Sequence, residues 1–365
     1  MKKILCLIDG LGQGGAERQI VGLAHLLKEK GFDVTLLSYH AKNFYKDMIA
    51  GYGIDHVYLE GLNSSWKKFR KIGAFIKSGG YDCVIAYKNG TCLLASLIKR
   101  FGGKFRLIVS ERNLTRKLTI RERFKFRSYR YADWVVANSL TQKEFICNRF
   151  PRLSGKTVCI TNFTDTKYFC PGDSPSESTF KILVAARFAP QKNQLLFLEA
   201  VKLLKDKGLC SDKSGRKLHV RWLGDISAGQ TSYKEDCLER LKELHLEEVF
   251  SFHPASNDIL REYRKCDVFC LPSSYEGFPN VICEAMSCGK PVICSRVCDN
   301  PSIVEDNVSG LLFDPSSAES MAEAMERVML MGREKLEMMG KEGRRIALER
   351  FSEDTFVDSY IKLID

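Results

Sequence analysis

A chain of 365 residues is too long for one ordinary core and sets an expectation of two domains. Its 44% apolar and 28% charged residues exclude a low-complexity or disordered chain, and no stretch reaches the ~20 apolar residues of a membrane-spanning helix. The net charge of +11 is unevenly spread: residues 1–170 hold 30 Lys/Arg against 13 Asp/Glu, whereas residues 171–365 hold 26 against 32. The first half therefore seeks an anionic partner: nucleic acid, an anionic membrane surface or a phosphorylated substrate.

The opening "MKKILCLIDG" has an apolar run broken at Asp9, too short for the core of a signal peptide, and reads as a strand. Fourteen cysteines without a secretion signal point to a reducing compartment. Cys266, Cys270, Cys283, Cys288, Cys294 and Cys298 cluster without a C-x-x-C and fit core packing better than zinc. A Gly-rich turn leads to a helix from Ala16 to about Lys30, with Ile20, Leu23, Ala24 and Leu27 at helical spacing and Gly31 as its stop. "DVTLLSY", "YDCVIAY", "FRLIVS" and "DWVVANS" follow as strands with helical patterns between them, the doubly wound parallel rhythm. Residues 166–179, "TKYFCPGDSPSEST", have linker composition. The rhythm then restarts with "FKILVAA", a helix from about Gln194 to Lys205, "HVRWLGD", "VFSFHP", "DVFCLP", "KPVICS" and "GLLFDP". The predicted organisation is 1–168, 179–350 and a last helix over 351–365 packing back toward the first domain. Two Rossmann-like parallel-sheet domains of this kind face a central cleft at the carboxyl ends of their strands.

Three segments carry candidate chemistry. "GLGQGGAER" contains G-x-G-x-x-G at Gly10, Gly12 and Gly15, but the second strand ends Leu36-Leu37-Ser38-Tyr39, without the acid that a dinucleotide ribose needs. What remains is a loop whose N–H groups can approach a phosphate at a helix start, or merely a tight turn. In "AARFAPQKNQ", Arg187 and Lys192 project from a sheet's carboxyl edge, where a diphosphate would need them; a solvated surface pair is the alternative. In "SSYEGFPNVICEAMSCGKPVI", Pro279 fits the first helical position and Gly289 the stop, so Glu284 lies about 7 Å along the axis from the helix start and Glu276 lies outside it. One carboxylate on each side of a helix N-terminus suits a ligand with hydroxyls flanking a diphosphate, a nucleotide-diphosphate sugar.

E-G-F-P-N-V-x-x-E-A-M-x-x-G-x-P-V-I, with R-F-x-x-x-K-N and G-G-A-E-R, resembles the retaining glycosyltransferase family four, whose fold is called GT-B. The resemblance covers essentially the whole chain. It implies that Glu284 holds the donor ribose and Glu276 contacts the transferred sugar. Arg187 and Lys192 would neutralise the diphosphate, with Gly14 and Gly15 in the loop facing it. Asn280 and Val281 at the helix start, and Asn162 in "ITNFTDTKYF", join the donor-binding set. It implies no cofactor and no metal, the two cations and the helix N-terminus doing the leaving-group work. Many members carry a His after a strand of the first domain; here that place reads Ser110-Glu111-Arg112-Asn113, and Arg112 is the candidate for contact with sugar or phosphate, or for an acceptor role.

Residues 112–130, "RNLTRKLTIRERFKFRSYR", carry eight Lys/Arg and one Glu interleaved with apolar and aromatic residues. They suit an anionic membrane surface better than nucleic acid, with a solvated helix face as the plain alternative. "WKKFRK", residues 66–71, is a weaker echo of this segment and reads better as an ordinary sheet-packing helix. The expectation is a cytoplasmic enzyme, peripheral at the inner face of the cell membrane, that transfers a hexose or N-acetylhexosamine with retention. Its donor is a nucleotide-diphosphate sugar, UDP the expected nucleotide, and its acceptor a glycan or polyprenyl-diphosphate-linked glycan. The rivals are a GT-B sugar-nucleotide epimerase or hydrolase and a non-catalytic nucleic-acid-binding protein.

Overall fold

The computed structural model describes residues 1–115, 117–172, 178–227 and 229–365. They form two compact units, 1–163 with 353–365, and 164–352. The first unit therefore ends at Phe163 rather than at 168 and takes in the last helix. Part of the expected linker, residues 173–177, lies outside the described residues.

In the first unit, β1 (Lys3–Leu7), β2 (Asp33–Ser38), β3 (Asp55–Tyr58), β4 (Cys83–Tyr87), β5 (Arg106–Glu111), β6 (Trp134–Ala137) and β7 (Thr157–Cys159) make a parallel sheet in the order β3-β2-β1-β4-β5-β6-β7. Its helices are α1 (Gly15–Glu29), α2 (Lys46–Gly51), α3 (Ser65–Gly79), α4 (Asn89–Arg100), α5 (Ile120–Ser128) and α6 (Leu140–Arg149). A parallel sheet must be covered on both faces, and the alternation in β1 shows how. Ile4 and Cys6 join one apolar cluster with α1's Ile20, Leu23 and Leu27, while Leu5 and Leu7 join another with Ile72 and Ile76 of α3.

The second unit holds β8 (Thr179–Ala185), β9 (Lys217–Leu223), β10 (Phe250–His253), β11 (Val268–Leu271), β12 (Val292–Ser295) and β13 (Gly310–Phe313), parallel in the order β10-β9-β8-β11-β12-β13. Around it pack α7 (Gln194–Asp206), α8 (Thr231–Glu243), α9 (Ile259–Lys265), α10 (Asn280–Ser287), α11 (Asn300–Ile303), α12 (Ala318–Leu330) and α13 (Arg333–Phe351). Five of the six clustered cysteines are core material: Cys266, Cys270, Cys283, Cys288 and Cys294 are buried in the unit's apolar cluster, while Cys298 is only half-buried, and burial pushes the Cys266 and Cys288 thiols up to about 12.

The chain then returns to the first unit as α14 (Glu353–Ile364), whose Phe356, Val357, Tyr360, Leu363 and Ile364 complete the cluster around α1. Strand order reverses between β1 and β4 in one sheet and between β8 and β11 in the other. At such switch points the connections part and leave a crevice at the strands' carboxyl ends. The loops after these four strands carry the glycine motif, Lys88, Arg187 with Lys192, and Glu276.

Candidate active site

In the second unit the loops after β8 and β11 are stitched together. Asn193 stands at φ 67°, in the left-handed region, and its side-chain amide donates to the carbonyls of Pro272 (3.2 Å) and Pro315 (2.8 Å). Gln191 donates through its side chain to the Tyr275 carbonyl (2.7 Å), and the Ser274 N–H donates to the Gln191 carbonyl (2.9 Å). This lacing brings the Lys192 ammonium within 2.5 Å of the Glu276 carboxylate, both largely buried. Arg187 remains exposed, its backbone held by the Gln194 side-chain amide at 3.0 Å. Gly224, at the end of β9, makes that path possible: a Cβ there would stand 2.1 Å from the Ala186 carbonyl oxygen and 2.9 Å from the Arg187 Cα.

Helix α10 starts at Asn280, one residue later than the sequence reading, with Pro279 as its cap residue. Pro279 offers no side-chain cap, and the helix stops where Gly289 takes φ 71°. Glu284, in the second turn and 5% exposed, accepts a hydrogen bond from the Tyr263 hydroxyl at 3.0 Å. Burial first, then the Glu284 charge, hold the Tyr263 hydroxyl well above its ordinary range, so it is a committed donor. The two acids thus stand on either side of the α10 start with different partners. Asn193 closes the R-F-x-x-x-K-N motif, but its lacing role is not legible there, and Tyr263 and Gly224 carried no signal in the sequence, because these roles are contacts made far along the chain.

In the first unit, Gly14 is the extended cap residue of α1 (φ −158°), and a Cβ on it would meet the Glu17 Oε2 at 2.5 Å. Gly15 opens the helix and is exposed. The loop is locked rather than loose. The Lys88 ammonium donates to Asp9 (2.9 Å) and Glu17 (2.7 Å), and the Tyr45 hydroxyl donates to the Gly14 carbonyl (3.1 Å). Lys88 adopts φ 73°, strained for a residue with a side chain, directly before α4. Burial pulls its ammonium down, but the bonds to Glu17 and Asp9 outweigh that and raise it.

Arg112 and Asn162, fifty positions apart, meet: the guanidinium of Arg112 donates to the Asn162 side-chain oxygen and to Ser110 Oγ (3.3 Å), and lies over the Tyr87 ring at 4.8 Å. Tyr87 bonds in turn to Tyr360 of α14 at 2.9 Å. Arg112 is 7% exposed and its Nε has no hydrogen-bond partner among the described residues. Beside it, Glu111 takes Lys125 at 2.7 Å and the Tyr129 hydroxyl, all three buried. This corrects the reading of residues 112–130. Arg116 lies outside the described residues, the helix is confined to α5, and Lys125, Phe126 and Tyr129 face the interior. What α5 presents to solvent is Ile120 (88% exposed), Phe124 (55%), Arg121, Arg123 and Arg127.

The comparisons with known proteins follow these two units. Residues 13–168 match the model described as Glycosyltransferase Family 4, and residues 172–346 match that of Glycosyl transferases group 1. The chain belongs to glycosyltransferase family four. The transferase is 26% identical over 357 residues, 90% of either chain, to an N-acetylgalactosamine-N,N'-diacetylbacillosaminyl-diphospho-undecaprenol 4-alpha-N-acetylgalactosaminyltransferase of Campylobacter jejuni. It is 28% identical over 246 residues to a D-inositol 3-phosphate glycosyltransferase of Saccharomonospora viridis, spanning 63% of the transferase and only 55% of that relative. A crystal structure of Anabaena HepE in complex with UDP superposes with a TM-score of 0.85 at 20% identity over 99% of both chains, a likeness of fold. That fold is GT-B, two parallel-sheet Rossmann-like domains, and the activity class is glycosyl transfer.

Proposed function

We propose that this transferase moves a hexose or N-acetylhexosamine from a UDP-sugar to a polyprenyl-diphosphate-linked glycan, with retention, in cell-surface polysaccharide assembly. The observation that carries the donor half is the pair of nearly buried carboxylates flanking the α10 start, with Lys192 drawn onto the outer one. Glu284, oriented by Tyr263, accepts from the ribose hydroxyls. Glu276 uses one oxygen for Lys192 and keeps the other for the transferred sugar. Arg187, the ammonium of Lys192 and the α10 N–H groups stabilise charge on the leaving diphosphate without a metal ion. The acceptor hydroxyl attacks the donor's anomeric carbon from the face that the diphosphate leaves, so the C–O bond to phosphate breaks as the new glycosidic bond forms, and the hydroxyl proton passes to the departing phosphate oxygen on that face. Gly14, Gly15, Asn280, Val281 and Asn162 complete the donor set, and Arg112 positions Asn162.

The acceptor half rests on the basic first domain and on the diphospho-undecaprenol substrate in the name of the Campylobacter relative. Among the described residues no helix is long and apolar enough to cross a membrane. We propose attachment at an anionic surface on the cytoplasmic side, through the exposed apolar and basic residues of α5.

The test is product analysis with a panel of UDP-sugars and a polyprenyl-diphosphate-linked N-acetylhexosamine, with and without EDTA. The expected outcome is acceptor-dependent release of UDP, an anomeric configuration in the product that matches the donor by NMR, and no loss on chelation. Free sugar formed equally well without acceptor would favour the hydrolase or epimerase reading. Activity lost on chelation and restored by Mg²⁺ or Mn²⁺ would overturn the metal-independent one.

A further inference from the structure

Three charged side chains of the first unit, Asp9, Glu17 and Lys88, meet over the glycine loop without belonging to the donor set above. Glu17, in the first turn of α1 and 9% exposed, curls back toward the helix start. Its Oε2 lies 2.5 Å from where a Cβ on Gly14 would stand, and its Oε1 lies 3.8 Å from the same point on Gly12. Asp9, just past β1, accepts from the Gly10 N–H at 2.8 Å, and the Lys88 ammonium donates to the same oxygen at 2.9 Å. Lys88 also reaches Glu17 at 2.7 Å, so a single cation ties the two ends of the loop. The backbone of the loop is fixed independently. The Leu11 N–H donates to the Lys42 carbonyl (3.0 Å), the Phe44 N–H to the Leu11 carbonyl (2.7 Å) and the Tyr45 hydroxyl to the Gly14 carbonyl (3.1 Å).

Two carboxylates thus stand in a loop proposed to meet a diphosphate, where their charge repels the ligand. Two carboxylates and one ammonium leave the trio a net charge of −1, which becomes −2 without Lys88. Lys88 stands at φ 73°, where a glycine would sit without strain. A lysine held in that conformation is compensated by what its side chain does. Burial works against its charge, yet the bonds to Glu17 and Asp9 hold the ammonium above its ordinary range, so it stays a cation. We infer that Lys88 is a positioning residue for donor binding: it neutralises and clamps Glu17 and Asp9, and so makes the glycine loop receptive to the donor's diphosphate. Because other elements hold the loop's backbone, Lys88 contributes charge and carboxylate placement rather than the path of the chain. The inference rests on the reading, proposed above, that Gly14 and Gly15 meet the donor.

Calorimetry with UDP on the full chain, beside kcat and KM for the UDP-sugar, tests it. Lys88→Met should weaken UDP by about 10-fold or more at low salt and raise KM for the UDP-sugar in parallel. Part of that penalty should fade as salt screens the stranded charge. Lys88→Gly, which removes the strain together with the ammonium, should lose UDP affinity as Lys88→Met does, whatever its Tm, while Lys88→Arg should keep most of it. Lys88→Met combined with Glu17→Gln restores the wild-type net charge and should recover most of the affinity. Glu17→Gln alone should bind UDP at least as tightly as the wild type. Unchanged UDP affinity in Lys88→Met and Lys88→Gly, even with a lower Tm, would overturn the inference and leave a structural ion pair. Equal loss in Lys88→Met with and without Glu17→Gln would also overturn it, since Lys88 would then not act through that carboxylate. Glu284→Ala is the control for the donor reading: if it weakens UDP while every Lys88 variant binds as the wild type does, the inference falls and the donor reading stands. A wild-type protein that binds no UDP would sink both.

Discussion

Glu276 and Glu284 are both nearly buried carboxylates, yet their partners differ in kind. Glu276 faces a cation at 2.5 Å and Glu284 a neutral hydroxyl at 3.0 Å. If Glu284 holds the ribose, Glu284→Ala weakens UDP and UDP-sugar alike, since both carry that ribose. Glu276→Ala spares UDP, because it frees Lys192 for the diphosphate, and penalises only the sugar-linked donor or its turnover. Losing a hydrogen bond to a charged group costs about 1.5–3 kcal/mol, so each affected Kd should rise about 10- to 150-fold by calorimetry. Equal loss of UDP affinity in both variants would show that the two acids do not divide the ligand in this way. A Glu284→Ala protein with a lower Tm but unchanged UDP affinity would reduce that residue to a structural role.

At the scale of elements, the donor site proposed at the α10 start depends on how closely α13 can lie on α10. A Cβ on Gly340 would stand 2.0 Å from the Gly289 carbonyl oxygen at the end of α10, whereas a Cβ on Gly343, one turn on, would make ordinary contact with Met286 at 3.5 Å. The two glycines of one helix therefore predict opposite outcomes. Gly340→Ala forces α13 away from α10, at about 1–3 kcal/mol for overpacking, and should lower both Tm and UDP affinity. Gly343→Ala, which gains helix propensity without a clash, should hold or raise Tm. A Gly340→Ala protein as stable as the wild type would mean that the close approach is not needed. The contrast also shows what could be read in advance. The α10 block was legible because Pro279, Gly289 and the two acids lie within a few turns of each other. The strands were legible because a sheet buried on both faces needs unbroken apolar runs. Gly340, Gly224, Tyr263 and the Lys88 lock were not, because each answers to a residue distant in sequence whose position only the fold supplies.

For the whole molecule, the excess of positive charge in the first domain becomes meaningful once its buried share is removed. Lys125 is spent on Glu111 in the interior, so only the exposed cations are available to an anionic surface. They do not stand alone. On α3, Ile72 and Ile76 pack inward as a sheet-covering helix should, yet Trp66 is 66% exposed and stacks on Phe69 at 5.9 Å. Phe69 meets Phe101, 68% exposed, and Arg100 lies over both Phe101 and Tyr131. Exposed aromatic rings with cations beside them suit the headgroup layer of a bilayer, where ring and charge are satisfied at one depth. The expected outcome is that the protein sediments with anionic vesicles, is released by high salt, and ignores neutral ones. Replacing Arg123 and Arg127 with Gln should weaken partitioning roughly 30-fold, at about 1 kcal/mol per charge near the surface. Trp66→Gln with Phe101→Gln should weaken it further at salt concentrations where the charges are screened. Lys125→Gln should act otherwise: it strands the Glu111 carboxylate in the interior and should lower Tm, since breaking a buried pair costs about 3–5 kcal/mol. Sedimentation that survives all of the surface substitutions, or that is equal on neutral vesicles, would place the membrane contact elsewhere on the molecule.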